Sequence, residues 1–519
     1  MANIVGIDLG TTFSALATLN AIGKPEIIPN ADGERLTPSA IFFDEENSDI
    51  IRVGVEAINS RHLNAQRSIR WIKRHMGDAN YRRNIDGKDW TPVELSALIL
   101  KRLKEDCSLE RGEIRDAVIS VPAHFDEVRR KATMDAGTLA GLNVMGIVNE
   151  PVAAALYYAT TRDVSGKVLV YDLGGGTFDV TIIDVKGHQM DIVCSQGDHA
   201  LGGVDFDQKV LEMLEQSYRN EFSAELICSD EDRAKYEDDA EDIKRTLSRR
   251  SVAKKMLYGP AGNMRVEITR EMFEQAISPL MARADILVEV ALEEAGIEPS
   301  GIDKVLLVGG STRIPLVRQR LERMFGSAPQ TAVNVDECVA LGAALHAGLT
   351  LLREKPDTIP AGIASGLRDI NLTDVCNHSY GTICAPIDKE TGRRVIENRI
   401  ILKKNTPLPC EASQMFYTLT EGQTEVEATI TQGEDTAVEY VNKIATHKFE
   451  LPPDRPAERP IKVTYSYDMN QRMHCKFEDL ESDRVLEVDL CLKQNGEMAE
   501  GEVNEKEEQP TAQEVSKVE

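Results

Sequence analysis

The sequence has few aromatic residues, a deficit of positive charge and no long apolar run. Phe, Trp and Tyr make up 5% of its 519 residues. Lys plus Arg number 60 against 86 for Asp plus Glu, and the resulting net charge of −26 repels nucleic-acid phosphates and anionic lipid surfaces. No stretch approaches the roughly eighteen consecutive apolar residues that a membrane span needs. These deficits predict a protein that has neither nucleic acid nor a membrane as a partner.

Paired cysteines and export signals are also missing. The nine cysteines form no CxxC pair and no metal-ligand spacing with the histidines, which favours reduced thiols. The first residues, 1–8, have neither the basic segment nor the apolar segment of a signal peptide. We therefore expect a cytoplasmic protein that is not exported.

Residues 1–355 show the alternation of short apolar runs and amphipathic helical stretches that is typical of α/β domains. The runs have strand length and are apolar throughout, as expected of strands buried on both faces. They are Ile4–Leu9, Ala117–Val121, Val168–Tyr171 and Val305–Val308. Helices are predicted over Asp126–Leu142 and Ile314–Phe325, where apolar residues recur at three- and four-residue spacing.

An internal duplication divides this region into two similar parts. Residues 4–14 and 168–179 both contain a strand, an aspartate, a tight turn of Gly and Thr, and the start of a returning strand. Farther along each part, a strand, a break and a helix follow in the same order. Repeats of this kind predict two related α/β lobes that face each other.

The remaining chain predicts a second domain of a different class. Pro and Gly residues mark a linker over 356–375. Over 376–492, short alternating stretches separated by turn residues predict a β-sandwich. Residues 493–519 are rich in Glu and nearly free of large apolar side chains, so we expect an acidic, disordered tail. The predicted first domain therefore covers 1–355.

The two Gly and Thr turns are candidates for phosphate binding. Glycine has no Cβ, so backbone N–H groups in such a loop can approach phosphate oxygens closely. The loops contain Gly10, Thr11, Thr12 and Phe13 in the first copy and Gly174, Gly175, Gly176 and Thr177 in the second. Asp8, Asp172 and Asp179 beside them are hard oxygen ligands of the type that holds Mg²⁺, often through its waters.

A third Gly-rich element lies between a buried strand and a helix. Gly309, Gly310, Ser311, Thr312 and Arg313 precede Pro315, and free N–H groups at the helix start suit an anion or a nucleotide. Neither the P-loop motif nor the dinucleotide-binding G-x-G-x-x-G motif after a strand is present. The P-loop and Rossmann interpretations are therefore excluded.

Taken together, the motifs of the first 350 or so residues resemble those of the DnaK-type 70-kDa heat-shock chaperone family, within the actin/hexokinase-like ATPase superfold. They follow one another in family order. The motifs are Ile7–Thr12, Ile72–Arg74, Asn149–Ala155, Asp172–Asp179, Leu201–Asp207, Lys244–Ser248, Val308–Pro315 and Asp336–Ala344. The resemblance implies a protein-folding ATPase that hydrolyses ATP to ADP in a cleft between two lobes, with Mg²⁺.

The resemblance also implies catalytic roles for four residues. Lys73 is similar to the family lysine that orients the attacking water, and Glu150 to the carboxylate near the metal. Asp179 is similar to the proposed water-activating group, and Thr177 to the γ-phosphate contact. Phosphoryl transfer depends mostly on positioning and charge neutralisation, so these roles are mutually compatible.

Further residues match the family's nucleotide-binding positions. Glu241, Lys244, Arg245 and Ser248 fall on one helical face and resemble the wall around adenosine, since guanidinium planes suit a purine ring. Arg313 and Asp336 resemble contacts on the adenine and the ribose. Gly202 and Gly203 match the glycines of another family motif. Without the resemblance, the helical face would be interpreted as a solvated, salt-bridged surface.

The second domain resembles the family's peptide-binding domain, with departures. Phe416 and Val426 are candidate peptide-pocket positions, the alternative being ordinary sandwich core. Asn371 and Thr373 interrupt the apolar linker of the family, so we expect weaker coupling between ATP and peptide. Scarcely thirty residues follow Leu490 where the family has a helical lid, so a lidless, truncated peptide site with fast exchange is expected. Pro122 and Arg130 resemble the family's proline–arginine relay.

The expected function is an ATP-dependent chaperone that binds unfolded or client polypeptides and acts as a monomer. By resemblance, its partners would include a J-domain co-chaperone and a nucleotide exchange factor. A sugar-type small-molecule kinase and an actin-like filament protein share the superfold, and fold alone does not exclude them.

Overall fold

The structure is a computed structural model that describes residues 4–490 except 48, 163–164, 188, 332–333 and 388–391. The predicted tail over 493–519 lies outside the described residues. By their internal contacts, the described residues form two units: residues 4–124 with 132–371, and residues 125–131 with 372–490. Along the described chain, none of the helices is both long enough and apolar enough to cross a membrane.

The first half of the first unit alternates strands and helices from residue 4 to residue 161. The elements in chain order are β1 (Ile4–Asp8), β2 (Phe13–Leu19), β3 (Pro25–Ile28), β4 (Thr37–Pro38), β5 (Ala40–Phe43), β6 (Ile51–Val53), α1 (Val55–Ser60), β7 (Ser68–Arg70), β8 (Arg83–Ile85), β9 (Lys88–Trp90), α2 (Pro92–Arg111), β10 (Asp116–Val121), α3 (Glu127–Leu139), β11 (Asn143–Asn149) and α4 (Glu150–Thr161).

The second half repeats this alternation. Its elements are β12 (Gly166–Leu173), β13 (Phe178–Lys186), β14 (Gln189–Asp198), α5 (Gly203–Phe222), α6 (Asp230–Arg249), β15 (Val252–Gly259), β16 (Gly262–Thr269), α7 (Arg270–Ala295), β17 (Lys304–Val308), α8 (Pro315–Phe325), β18 (Gln330–Thr331), α9 (Cys338–Glu354), α10 (Ala361–Leu367) and β19 (Asn371–Thr373). The stretch 356–375, predicted as a linker, thus contains helix α10 and strand β19.

The sheet topology confirms the duplication predicted from the sequence. In the first half the strand order is β11-β10-β1-β2-β3, and in the second it is β18-β17-β12-β13-β14. Strands β1 and β10 are parallel, as are β12 and β17. Each copy continues as an antiparallel meander, β1-β2-β3 or β12-β13-β14. The aspartates Asp8 and Asp172 end the corresponding strands β1 and β12.

Local sequence accounts for several helix ends. Helix α2 begins with a capping box, because Thr91 Oγ1 accepts from the Glu94 backbone N–H at 3.2 Å while Glu94 Oε2 accepts from the Thr91 N–H at 2.8 Å. Helix α3 ends at Leu139, three residues before the predicted end, because Gly141 adopts a φ of 76° that stops the helix.

Helix α9 is buried along most of its length and is built from small residues. A Cβ added at Gly342 would lie 1.7 Å from the backbone oxygen of Ala153 on α4. A Cβ added at Gly6 on β1 would lie 2.0 Å from the backbone nitrogen of Ala344 on α9. Only glycine fits these positions. Helix α9 thereby seats both β1 and α4, the two elements that carry Asp8 and Glu150.

The same helix carries a buried histidine that gives a pH prediction. Burial, with a smaller contribution from Arg353, lowers the pKa of His346 to about 3, whereas an unfolded histidine titrates near 6.5. Below pH 6.5, His346 is therefore protonated in the unfolded chain and neutral in the folded chain. The free energy of unfolding should then fall by about 1.4 kcal/mol per pH unit as pH drops. Urea unfolding at pH 7 and pH 5 should differ by about 2 kcal/mol for this group.

The control for this effect is an exposed histidine. His346→Leu should remove about 2 kcal/mol from the difference in unfolding free energy between pH 7 and pH 5, and His474→Gln, which changes an exposed ring on the other unit, should leave that difference unchanged. Equal slopes for the native chain and His346→Leu would contradict the assignment.

The second unit is an antiparallel β-sandwich, as predicted. Its strands are β20 (Tyr380–Cys384), β21 (Glu397–Leu402), β22 (Cys410–Tyr417), β23 (Glu425–Gln432), β24 (Asn442–Glu450), β25 (Pro460–Tyr467), β26 (Met473–Asp479) and β27 (Val485–Asp489). One sheet has the order β21-β20-β23-β24 and the other β22-β25-β26-β27. Tyr380, Tyr465 and Phe477 are buried in the core between them.

Residues 125–131, the start of α3, belong to this second unit. The Glu127 carboxylate is buried and accepts hydrogen bonds from the hydroxyls of Tyr380 and Tyr467, both at 2.8 Å. Arg130 is also buried, and it donates to the Phe125 backbone oxygen at 2.8 Å and to the Gln471 side chain. The structure thus places Arg130 in a polar network, while its relay role stays a prediction.

Candidate active site

A cleft of about 610 Å³ opens in the first unit where the duplicated halves meet. Nearly all of the residues predicted to bind nucleotide or catalyse hydrolysis line it. They are Asp8, Gly10, Thr11, Thr12, Phe13, Lys73, Glu150, Asp172, Gly174, Gly175, Thr177, Gly203, Glu241, Lys244, Arg245, Ser248, Gly309, Gly310, Ser311, Arg313 and Asp336.

The two Gly and Thr turns lie directly against each other. A Cβ added at Gly175 would be 2.0 Å from Thr12 Oγ1, and one added at Gly176 would be 2.6 Å from Thr11 Cγ2. Any larger residue would push the turns apart. The paired turns therefore form one continuous surface of backbone N–H groups and hydroxyls.

The third Gly-rich element joins this surface. Ser311 Oγ donates to the Gly174 backbone oxygen at 2.8 Å. Gly309 adopts a φ of 82°, and a Cβ there would lie 2.4 Å from the Leu173 backbone oxygen, so this position requires glycine. All three loops thus lie in contact with one another, through hydroxyl side chains and the glycine backbone.

Buried charges stand at the centre of the cleft. The Lys73 ammonium, on the short 3-10 helix Ile72–His75, forms an ion pair with the Glu150 carboxylate at the start of α4. Asp8 accepts a hydrogen bond from Ser120 Oγ at 3.0 Å. One lysine therefore faces a group of carboxylates, which is a strongly acidic arrangement for a buried site.

The electrostatics of these carboxylates follow from their burial. Desolvation and the nearby Glu150 carboxylate raise the pKa of Asp8 to about 7, although Lys73 opposes the shift. Desolvation, Glu150 and Asp179 raise the pKa of Asp172 well above its ordinary value. A cation bound beside these groups would favour their charged forms.

Three predicted residues do not line the cleft. Asp179 is 1% exposed and accepts from the His124 backbone N–H at 3.1 Å, so it stands behind the cleft wall. Gly176 lies against the first turn, as described above. Gly202 packs beneath the second turn, where an added Cβ would be 2.5 Å from the Gly176 nitrogen.

The helical face predicted to surround adenosine does line the cleft. The Arg245 guanidinium stands 5.8 Å from the centre of the Phe13 ring and donates to Glu241 Oε1 at 2.6 Å. Across the opening, Arg313 and Asp336 form a two-point ion pair at 2.9 and 2.6 Å. Two guanidinium planes thus border the space between the halves.

Ion pairs connect the two halves of the unit outside this wall. Arg61 is 6% exposed, donates to Asp238 Oδ1 at 2.6 Å and pairs with Glu237. Arg70 donates to Asp238 Oδ1 at 2.7 Å and to Glu241 Oε2 at 2.9 Å. These contacts fasten the segment around α1 and β7 to helix α6.

The cleft lining also contains residues that the sequence did not single out, among them an aspartate and a tryptophan. Asp207 on α5 accepts from the Lys244 ammonium at 2.7 Å, and burial raises its pKa to about 6 in spite of Lys244. Trp71 lines the cleft with a φ of 59°, which is rare for a bulky residue. Asp207 ends the predicted Leu201–Asp207 motif and Trp71 directly precedes Ile72–Arg74, so proximity to these motifs was the available signal.

The residues present fit a magnesium ion held through phosphates and water better than one held by the protein alone. Among the described residues, no group of three His, Cys, Asp or Glu side chains converges closely enough to ligate a metal ion directly. The donor set of buried carboxylates and hydroxyls is nevertheless the hard oxygen chemistry that Mg²⁺ prefers, and the ion usually keeps several waters.

In the second unit, the predicted peptide-pocket positions occupy the margin of the sandwich core. Phe416 on β22 and Val426 on β23 are partly buried and pack against the core cluster. Their surroundings match the core interpretation as well as the pocket interpretation. The peptide-pocket assignment therefore stays a prediction.

Comparisons with known proteins agree with this architecture. The family model described as Hsp70 protein matches residues 4–519. The chaperone protein DnaK of Thermotoga neapolitana is 38% identical over 491 residues, covering 93% of this chain and 79% of the relative. DnaK proteins of Thermotoga petrophila and Thermotoga maritima are each 37% identical over 510 residues, covering 96% of this chain and 82% of theirs.

Proposed function

This chain belongs to the Hsp70 family of ATP-dependent chaperones, and from that premise we propose that its cleft hydrolyses ATP with Mg²⁺ and the side chains of Lys73, Glu150, Thr177 and Asp179. The observation that carries the proposal is the buried Lys73–Glu150 ion pair, which lines the same cleft as the two Gly and Thr turns. The predicted sugar kinase and filament alternatives are not favoured by any of the relatives.

The reaction requires charge neutralisation and a positioned water. The backbone N–H groups of the paired turns bind the phosphate oxygens of ATP, and the Lys73 ammonium offsets the charge that develops in the transition state. Glu150 holds Lys73 in place through their ion pair. Asp179 lies behind the wall, so its effect on the attacking water requires a bridging water or a movement of the wall.

The metal site is assigned to Asp8, Asp172 and Asp179. These carboxylates would hold Mg²⁺ in part through its water shell, and the bound ion would neutralise phosphate oxygens. The raised pKa of Asp8, about 7, supports this assignment, because a buried carboxylate in that state gains most from a nearby cation. The adenosine wall is assigned to Glu241, Lys244, Arg245, Ser248, Arg313 and Asp336.

The family membership gives the client class as unfolded polypeptides. We assign peptide binding to the sandwich and nucleotide binding to residues 1–355, with 356–375 connecting them. A J-domain co-chaperone, a nucleotide exchange factor, a monomeric state and a cytoplasmic location belong to the same proposal.

Single-turnover hydrolysis tests the function. Radiolabelled ATP bound to the chain should be hydrolysed slowly without an acceptor, and an unfolded peptide or a J-domain protein should accelerate the step severalfold. A folded protein added in place of the unfolded peptide is the control and should not accelerate hydrolysis. The proposal would be contradicted if hydrolysis required an added sugar, or if neither the peptide nor the J-domain protein changed the single-turnover rate.

The ion pairs of Arg61 lead to a prediction on nucleotide release. Arg61→Ala leaves Glu237 without its buried partner and Asp238 with Arg70 as its remaining arginine, which weakens the connection between the halves. With about 1.4 kcal/mol assigned to these partly exposed pairs, ADP release should accelerate about tenfold. Stopped-flow release of a fluorescent ADP measures the rate. Arg219→Ala, which removes an exposed ion pair with Glu225, should change it less than about twofold.

A further inference from the structure

A second cavity of the first unit lies beside the nucleotide cleft and is rich in arginine. It has a volume of about 250 Å³ and lies between residues 61–83 and the first two turns of α6. Four arginines line it: Arg61, Arg70, Arg83 and Arg233. We call it the arginine pocket. Four guanidinium groups around one cavity are unusual in a chain whose net charge is −26.

Two of these arginines are neutralised by the protein and two are not. Arg61 and Arg70 pair with carboxylates of α6, as described above. In the part of the chain that the structure describes, no carboxylate lies within 4.0 Å of the guanidinium of Arg83 or Arg233. Within the described chain, the guanidinium groups of Arg83 and Arg233 therefore form no ion pair.

Two carboxylates also line the pocket, and in the described chain neither forms an ion pair with Arg83 or Arg233. They belong to Glu237 and Asp230. Glu237 is engaged by Arg61, and Asp230 accepts from Gln66 Nε2 at 2.9 Å. Both carboxylates thus have hydrogen-bond or ion-pair partners other than Arg83 and Arg233.

Two buried donors of the pocket lack an acceptor. Ser68 Oγ and Arg83 Nε are both buried, and neither has a hydrogen-bond partner among the described residues. A buried donor without an acceptor costs about 1–3 kcal/mol, so a ligand that supplies oxygen atoms would be favoured here. A hydroxyl and guanidinium groups are the donors that commonly bind phosphate oxygens.

Aromatic rings complete the walls. Trp71 and Tyr81 line the pocket, and the Arg70 guanidinium lies 4.8 Å from the Trp71 ring centre. Trp71 also lines the nucleotide cleft, so one side chain borders both cavities. A ligand in the arginine pocket would therefore change the surroundings of this tryptophan.

We propose that the arginine pocket binds a small phosphate-bearing anion, either inorganic phosphate or an aromatic phosphate monoester. Arg83 Nη2 already donates to the Gln66 backbone oxygen, so Arg83 Nε, Ser68 Oγ and the Arg233 guanidinium bind the phosphate oxygens, and the aromatic walls accept the ring of a monoester. This site is separate from the nucleotide phosphates, which bind at the paired turns in the proposed function.

Tryptophan fluorescence tests the proposal in the full chain. The cleft is first saturated with a nonhydrolysable ATP analogue, so that added phosphate cannot enter it. Inorganic phosphate and phenyl phosphate are then titrated separately at constant ionic strength. The chain has two tryptophans: Trp71 lines the pocket, and Trp90 packs against Phe43 and is the cross-strand partner of Arg83. A saturable change is expected for at least one anion, and tighter binding of phenyl phosphate would identify the monoester as the preferred source.

Variants decide whether the signal belongs to the pocket. Arg83→Gln should weaken binding about tenfold and Ser68→Ala about threefold. Arg115→Gln, which removes an exposed arginine paired with Glu113, is the matched control and should change it less than about twofold. Calorimetry should reproduce these ratios.

Two results would overturn the proposal. One is the absence of saturable binding of either anion up to about 20 mM, which would mean that water alone fills the pocket. The other is an equal loss of affinity in Arg83→Gln and Arg115→Gln, which would indicate general charge attraction. Basal ATP hydrolysis of Arg83→Gln and Ser68→Ala should stay unchanged, so a failure here is distinct from a failure of the proposed catalytic site.

Discussion

Replacement of Lys73 by alanine is expected to lower the single-turnover rate of ATP hydrolysis at least about 100-fold, which corresponds to about 3 kcal/mol of transition-state stabilisation. Lys73 is 4% exposed and is the ammonium paired with Glu150 among the carboxylates of the cleft. Its removal leaves these charges without compensation and removes a cation from the developing phosphate charge. Rapid quenching of a single turnover measures the rate.

Two further variants separate chemistry from folding. Lys209→Ala removes a surface lysine that pairs with Glu212 on α5 and should retain the native rate. Lys73→Arg keeps the positive charge but replaces a compact ammonium with a planar guanidinium. It should therefore bind nucleotide without reaching the native rate of hydrolysis. Native hydrolysis by Lys73→Ala would refute the catalytic assignment.

Gly342→Ala should destabilise the first unit by about 3 kcal/mol, although the same change in an exposed helix stabilises by about 1 kcal/mol. The added Cβ would lie 1.7 Å from the Ala153 backbone oxygen, so α4 and α9 must separate. Because α4 begins at Glu150, hydrolysis should decline as well. The urea midpoint and the single-turnover rate are the two measurements.

A second glycine on the same helix provides the control. A Cβ at Gly348 would meet only the side-chain ends of Leu19 and Leu367, at 2.4 and 2.7 Å. Side chains can adjust where a backbone carbonyl cannot, so Gly348→Ala should cost much less than Gly342→Ala. Equal effects at the two positions would show that helix propensity or general crowding, and not the backbone contact with α4, decides the outcome.

The fold was predictable largely because its signals are local. Apolar runs such as Val168–Tyr171 and Val305–Val308 predict buried strands, and the structure places them in β12 and β17. The duplication was visible because both copies keep the same order of strand, aspartate and glycine turn. Helix α10 was missed, since its short, glycine-containing sequence gives a weak helical signal.

The candidate site was predictable to a lesser degree. The motifs identified most of the residues that line the cleft. Glycine and hydroxyl residues at a turn are chemically suited to bind phosphate, so their pattern is informative without a structure. The motifs could not give the position of Asp179 behind the wall, which depends on the His124 backbone from a distant segment. The arginine pocket was also invisible, because it combines residues 61–83 with residues 230–237.

By itself, the sequence determined the strands, the paired glycine turns and the family, since each depends on residues close together in the chain. Only the tertiary structure decided that Lys73 pairs with Glu150, that Glu127 accepts hydrogen bonds from two tyrosines of the sandwich, and that no carboxylate of the described residues pairs with Arg83. The physical reason is that charge pairing and burial depend on distances between segments that are remote in sequence, and local patterns do not encode those distances.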